Sequence, residues 1–356
     1  MTTCLFRIRT NFVVPTLLIA LLSVCGGSNE KTIEIKPAKM DQTVEQYAIE
    51  QNFSGAILIV ENEQVLFSKG FNKVNRNDTK LIDADTVFRL ASISKQFTAT
   101  GIMILQEQGL LSIQDTLNVY LPDFPNGDKI RIKHLLQHSA GLANFTALST
   151  FKYIKNTPHT PEQLIALFKD RTLEFNPGSQ YKYSNSGYIV LGHLIEKVSG
   201  MTYQDFINTE IFHPLEMAQS GYGKDELGQN NIAQGYLPSG ANITKLSMTV
   251  PFAAGALVSS ANDLHKWDQS FYNNTLLNEA SQKSMFTPDL GSAGLGWFMT
   301  QSNGELRYVH SGGIDGFSTY IARYPKSKKL IVVLSNVQNF PAAKFSNQLN
   351  KIITNG

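Results

Sequence analysis

Apolar and polar positions along the 356-residue chain switch between two periods. From Asp41 to Gln51, Val44, Tyr47 and Ala48 recur at helical spacing and predict a helix. The runs Gly55-Ala56-Ile57-Leu58-Ile59-Val60 and Gln64-Val65-Leu66-Phe67-Ser68 flank a polar Glu61-Asn62-Glu63 turn, which predicts a β-hairpin. Helical spacing returns from Ser92 to Gly109, with Ile93, Phe97, Ile104 and Leu105 near one face and Gly109 as a stop. Residues 115–286 read mostly as short helices and long loops. One clear helix stands among them from Ser186 to Val198, carrying Tyr188, Leu191, Leu194 and Ile195 on its apolar face and Gly200 as its C-cap. Strand character resumes at residues 296–299, 306–309, 317–321 and 330–334, and a helix over 342–353 closes the chain. Strands at both ends and helices between predict an α+β fold: one antiparallel sheet assembled from both termini, flanked by helices, with a mostly helical insertion.

The first residues follow another logic. Arg7 and Arg9 precede an apolar run from Phe12 to Leu22 that is short for a membrane span, which is the layout of an export signal. The run ends at Leu22-Ser23-Val24-Cys25, and this resembles a bacterial lipoprotein signal with Cys25 as the lipid-carrying residue. An ordinary cleaved signal or an uncleaved anchor would also export the chain. Residues 1–24 are therefore expected to be a signal peptide, 25–40 a polar tether, and 41–356 a single folded domain. The expected location is a bacterial periplasm or cell envelope, with membrane attachment only through the N-terminal lipid.

Both cysteines, Cys4 and Cys25, lie in or beside that segment, so the folded domain has no disulfide and no cysteine nucleophile. The formal charge is +2, and removing residues 1–24, with two arginines and no acid, leaves a neutral balance. Neutrality argues against nucleic acid as a partner. His134 and His138 are four apart, but position 135 is leucine and no third ligand is evident, so neither a metal nor a cofactor is expected. A complete G-x-S-x-G elbow is absent.

Three segments carry chemistry. In Ser92-Ile93-Ser94-Lys95 a spacing of three puts a hydroxyl and an amine on one helix face, about 5–6 Å apart at Cβ. An alcohol is a poor nucleophile until a base takes its proton, and a lysine can do so only if its amine is kept neutral. Ser92 near a helix N-terminus would also place its N–H where an oxyanion is stabilised. Tyr183-Ser184-Asn185 offers a phenol to shuttle protons and an amide to hold a substrate carbonyl or the lysine. His310-Ser311-Gly312-Gly313 joins two strands, where glycines let a substrate lie against a strand edge and the Gly313 N–H would complete an oxyanion hole. Each segment alone has an unremarkable structural explanation: a capping serine, a surface tyrosine, a histidine in a glycine turn.

Together they resemble the active-site set of the serine β-lactamase and penicillin-binding superfamily, in particular the branch of class C β-lactamases, D-alanyl-D-alanine carboxypeptidases and related esterases. Further similarity lies in residues 134–142, 175–183, 253–260 and 294–297, so the likeness runs from about residue 45 to 336. It implies a β-lactamase/transpeptidase-like fold and a serine hydrolase working through an acyl-enzyme, with a small-molecule or peptide acyl substrate. Carried over by position, it implies Ser92 as nucleophile, Lys95 as activating amine and Tyr183 as proton shuttle. Asn185, His310 and Gly313 become substrate-binding residues. Whether Lys95 or Tyr183 takes the first proton stays open. His310 departs from the lysine usual in β-lactamases and resembles the histidine of some D,D-peptidases and esterases, which weakens the case for an efficient β-lactamase; the leading expectation is a D-Ala-D-Ala carboxypeptidase or penicillin-binding activity. A carboxylesterase, a β-lactamase, or a non-catalytic lipoprotein that senses cell wall or β-lactam are the alternatives.

Overall fold

The computed structural model describes residues 36–228, 231–243 and 246–355. The expected signal peptide, Cys25 and the tether up to residue 35 lie outside these. Six helices position the site or close the cores: α1 (Lys36–Glu50), α2 (Ser94–Glu107), α3 (Ile132–Leu136), α4 (Asn185–Ser199), α5 (Ala261–Ser270) and α6 (Ala342–Asn355). The strands are β1 (Gly55–Glu61), β2 (Gln64–Phe71), β3 (Phe88–Arg89), β4 (Gly221–Tyr222), β5 (Leu257–Ser259), β6 (Phe298–Ser302), β7 (Glu305–Ile314), β8 (Phe317–Tyr324) and β9 (Lys329–Ser335). α1 starts earlier than the apolar pattern indicates, because its first turn contributes little to that pattern.

The main sheet has the order β2-β1-β9-β8-β7-β6, every pair antiparallel, so the two chain ends meet where β1 pairs with β9. This is the expected α+β architecture. Antiparallel sheets often leave one face in water, but here both faces are covered. Ala56, Leu58 and Val60 of β1 and Leu330, Val332 and Leu334 of β9 point into the larger core. Their neighbours Ile57, Ile59, Ile331 and Val333 point the other way, into a core closed by α1 and α6. That burial on two sides explains why the sequence shows unbroken apolar runs instead of alternation. Rings seal the second core: Phe345 of α6 stacks on Tyr47 at 4.9 Å and on Phe53 at 5.0 Å.

The stretch between α2 and β6 is not purely helical. β3, β5 and β4 form a small three-stranded sheet, each strand only two or three residues long. Such strands are too short to impose a period of two, so nothing in the pattern announces them. β3 matters because it delivers the chain directly to Leu90 and the Ser92 turn.

α5 is tied to the sheet by an ion pair. Arg323 Nε of β8 donates to Asp268 Oδ1 at 2.8 Å, with both side chains almost wholly buried. Removing one member of such a pair strands a charge in a dry interior. We therefore expect Asp268→Ala to lower unfolding stability by about 3–5 kcal/mol, read from chemical denaturation. A loss below about 1 kcal/mol, the scale of an exposed pair, would mean that this contact does not hold α5 down.

Candidate active site

Leaving β3, the chain turns sharply through a 3₁₀ segment, Ala91–Ile93, and enters α2 at Ser94. Ala91 sits at φ 50°, a left-handed conformation that costs a non-glycine residue about 1 kcal/mol or more. The strain is held in place by close packing: Thr319 Oγ1 of β8 donates to Leu90 O at 2.9 Å, and β7 passes against the turn at Gly312. Ser92 makes no capping bond. Its hydroxyl is instead free to face the cleft.

Two groups converge on that hydroxyl. Lys95 Nζ lies 3.0 Å from Ser92 Oγ, and the Tyr183 phenol donates to Ser92 Oγ at 2.9 Å. Lys95 Nζ also donates to Asn185 Oδ1 at 2.9 Å and to Ala254 O at 2.7 Å. The Lys95 side chain is fully buried, and burial holds its amine well below the usual lysine range. A neutral amine has two N–H groups and one lone pair. Asn185 and Ala254 take the two N–H groups, which leaves the lone pair toward Ser92. Burial also pushes the Tyr183 phenol up, so it stays protonated and donates. The electrostatics therefore favour Lys95 over a tyrosinate as the first base, a choice the sequence left open.

Asn185 is the first residue of α4, and its amide is fixed from three directions. Its Nδ2 donates to Thr146 Oγ1 at 3.0 Å and its backbone N–H to Asn144 Oδ1 at 3.1 Å, besides the contact with Lys95. Gly200 at φ 71° closes the far end of α4, as expected from its place in the sequence.

The His310-to-Gly313 segment does not end a strand; it lies inside β7. Glycines usually signal a break, but here each has a specific use. β6 pairs with β7 only from Glu305 to Val309, while β8 pairs with it as far as Ile314. Residues 310–314 thus have a strand neighbour on one side only, leaving the other edge for a substrate chain. A Cβ on Gly312 would fall 2.1 Å from Thr319 Oγ1 and 2.2 Å from Leu90 O, whereas one on Gly313 would meet nothing within 4 Å. Gly313 lines a cavity of about 220 Å³ together with Ser92 and Asn185.

His310, unlike Ser92, Asn185 and Gly313, does not line the cavity; it is buried and packs against Phe298 at 5.2 Å. Its Nδ1 donates to Ser311 O at 2.7 Å, and its Nε2 has no hydrogen-bond partner. Burial, the largest cause, lowers its pKa to about 3, so at neutral pH it is not the cation that would attract a carboxylate.

One participant escaped the sequence reading. His138 lies beyond α3 in a left-handed conformation, φ 56°, so it does not share a helix face with His134. Its ring stacks on Tyr183 at 4.3 Å, its Nδ1 accepts from the Ser184 N–H at 3.2 Å, and its carbonyl accepts from the Lys182 N–H at 2.9 Å. Burial, the largest cause, holds the imidazole neutral, as that accepting role requires. His138 therefore fixes the loop that aims the phenol. The only sequence signal was its place in the 134–142 segment, which says nothing about its partner.

The close approach at Gly312 and the burial of His310 each have a measurable consequence. Gly312→Ala must push β7 off the Ser92 turn, so its thermal midpoint should fall by several degrees, while Gly313→Ala should keep the parent midpoint. Equal midpoints for the two would contradict the close approach at Gly312. For His310 the readout is pH dependence. An unfolded histidine titrates near 6.5, and folded His310 at about 3. Between these values the unfolded chain binds the extra proton, so stability is full above about pH 6.5 and is lost as pH falls toward about 3. His310→Gln, which cannot titrate, should flatten the decline of the denaturation midpoint over that acid range. A slope equal to the parent's would show that His310 does not titrate in this way.

Known proteins resemble this chain over most of its length. The family described as Beta-lactamase matches residues 40–353. Penicillin-binding protein 4* of Bacillus subtilis is 31% identical over 308 residues, covering 80% of this chain and 68% of that protein. The PbpX protein of the same organism is 31% identical over 325 residues, covering 90% of this chain and 79% of its own. Among solved structures, the penicillin binding protein from Bacillus halodurans superposes with a TM-score of 0.78 at 26% identity, covering 87% of this chain and 99% of that one.

Proposed function

The chain belongs to the beta-lactamase family and is a serine hydrolase, and from that premise we propose that it forms an acyl-enzyme at Ser92 and releases it to water. The observation that carries this reading is the placement of Ser92 Oγ between Lys95 Nζ at 3.0 Å and the Tyr183 phenol at 2.9 Å. In the proposed cycle the neutral Lys95 amine takes the hydroxyl proton as Ser92 attacks the acyl carbon. The developing oxyanion is held by the N–H groups of Ser92 and Gly313. Tyr183 passes a proton to the departing amine or alcohol, and the same groups run in reverse for an incoming water. Asn185 holds both the lysine and the substrate amide, and His310 backs the aromatic wall through Phe298.

The substrate we favour is a peptide ending in D-amino acids, as in a cell-wall stem, cleaved by carboxypeptidase action. Support comes from the open edge of β7, which suits an extended peptide, and from relatives whose names describe penicillin binding. A carboxylesterase is the second reading, favoured by the neutrality of His310, which offers no charge to a terminal carboxylate. Such a hydrolase would work in the cell envelope. We attribute export to Arg7, Arg9 and the Phe12-to-Leu22 run, and anchoring to a lipid on Cys25. Among the described residues no helix is long and apolar enough to cross a membrane.

A fluorescent penicillin should label the parent protein covalently and leave Ser92→Ala unlabelled. Lys95→Ala and Tyr183→Phe should each slow acylation by about 10²–10⁴-fold. Labelling that survives Ser92→Ala, or parent-like rates in either of the others, would refute the assigned roles. Rapid ester hydrolysis with no penicillin adduct would favour the esterase.

A further inference from the structure

The cavity beside Ser92 is small, and its lining includes a pair of charges that the chemistry does not use. Phe145, Phe151, Val250 and Ile314 line it with apolar surface. At about 220 Å³ it falls below the roughly 300–1,000 Å³ usual for sites that take drug-sized ligands. Lys155 and Asp315 also line it, and Lys155 Nζ lies 2.7 Å from Asp315 Oδ2. Both side chains are only about a quarter exposed, 27% and 29%. The pair joins the two walls of the cleft. Lys155 follows the short helix Phe151–Ile154, and its carbonyl accepts from the Ser247 N–H at 3.0 Å. Asp315 sits two residues past Gly313, in the turn between β7 and β8.

We propose that this cavity is an acyl pocket for small uncharged acyl groups, and that the Lys155–Asp315 pair is the specificity element that rejects charged ones. The proposal rests on the reading of Ser92 as nucleophile, takes the carboxylesterase reading over the stem peptide, and adds to it the substrate class of the acyl side. An acyl chain attached to Ser92 Oγ enters a cavity lined both by apolar side chains and by this ion pair. A neutral terminus leaves the pair intact. A terminal carboxylate is repelled by Asp315 and can pair with Lys155 only by displacing it, and a terminal ammonium is repelled by Lys155 and can pair with Asp315 only by displacing that lysine. Either must break a satisfied pair and strand its other member among apolar walls, which costs more than the new contact returns. Arg89 also feels the field of Asp315 and so remains as partial compensation for an unpaired Asp315. Lys155 has the greater need of its partner.

The test uses p-nitrophenyl esters of three acyl groups of similar length: butyryl (neutral), glutaryl (carboxylate-ended) and 4-aminobutyryl (ammonium-ended). The parent should favour butyryl over both charged esters in kcat/KM by at least about tenfold, a difference of about 1.4 kcal/mol. Asp315→Ala frees Lys155 and should raise glutaryl relative to butyryl by about tenfold or more. Lys155→Ala frees Asp315 and should raise 4-aminobutyryl relative to butyryl, by a smaller factor because Arg89 remains. The exchange Lys155→Asp with Asp315→Lys rebuilds the pair and should restore the preference for butyryl, which also guards against a single variant that misfolds. Penicillin or fluorophosphonate labelling of Ser92 runs beside each assay. Labelled variants whose three ratios stay within about twofold of the parent's would overturn the ion pair as the specificity element while leaving the nucleophile intact. Failure of the parent to label at Ser92 would overturn the nucleophile reading, and this proposal with it.

Discussion

The site depends on one constraint: a lysine amine sealed away from water with only uncharged groups to meet it. Its partners are an amide oxygen, a main-chain carbonyl and a hydroxyl, none of which offsets a positive charge. The rings of Tyr183 and Tyr188 face the amine at 5.1 and 5.4 Å. Such contacts return roughly 0.5–2 kcal/mol to a cation, against a lost hydration worth several kcal/mol. Burial outweighs them and drives the amine toward its neutral form. The base role proposed for Lys95 therefore needs no carboxylate partner.

The scaffold around that amine is rigid for reasons that begin far from it. A sheet buried on both faces fixes β7 and β8, and these fix the Ser92 turn, β7 through the missing Cβ of Gly312 and β8 through the Thr319 bond to Leu90. α4 brings Asn185, anchored by Asn144 and Thr146. Segment 138–141 accepts main-chain hydrogen bonds from 174–182, and this ladder, with the stacked His138 ring, positions Tyr183. Each reacting group thus stands at the end of a regular element or on a loop tied down by its backbone, the arrangement that keeps catalytic geometry within tight limits.

The same electrostatic economy extends to recognition. Desolvation keeps His138 and His310 neutral beside Lys95, so the centre of the cleft carries little charge. The charged pair that does border it, Lys155 with Asp315, is internally compensated. Selection in such a cleft falls to shape, to the open edge of β7 and to the cost of disturbing that pair, more than to long-range attraction.

The amino-acid order alone determined the local elements. Apolar runs marked the β1–β2 hairpin and β9, helical spacing marked α2 and α4, and Gly200 marked the end of α4. It also determined which residue types were available for chemistry, since the three short motifs are contiguous and their spacing is covalent. Tertiary structure alone decided the rest. Ser92 and Tyr183 are 91 positions apart, and Lys95 and Asn185 are 90 apart, so their contacts exist only through packing. Strands β3 to β5 are too short to leave a periodic trace, and Gly312 reads as a break because the neighbours that require it, Thr319 and Leu90, come from elsewhere in the chain. The protonation of Lys95, the neutrality of His310 and the stacking of His138 follow from exclusion of water. No linear pattern encodes that exclusion, because it is a property of all the surrounding atoms at once.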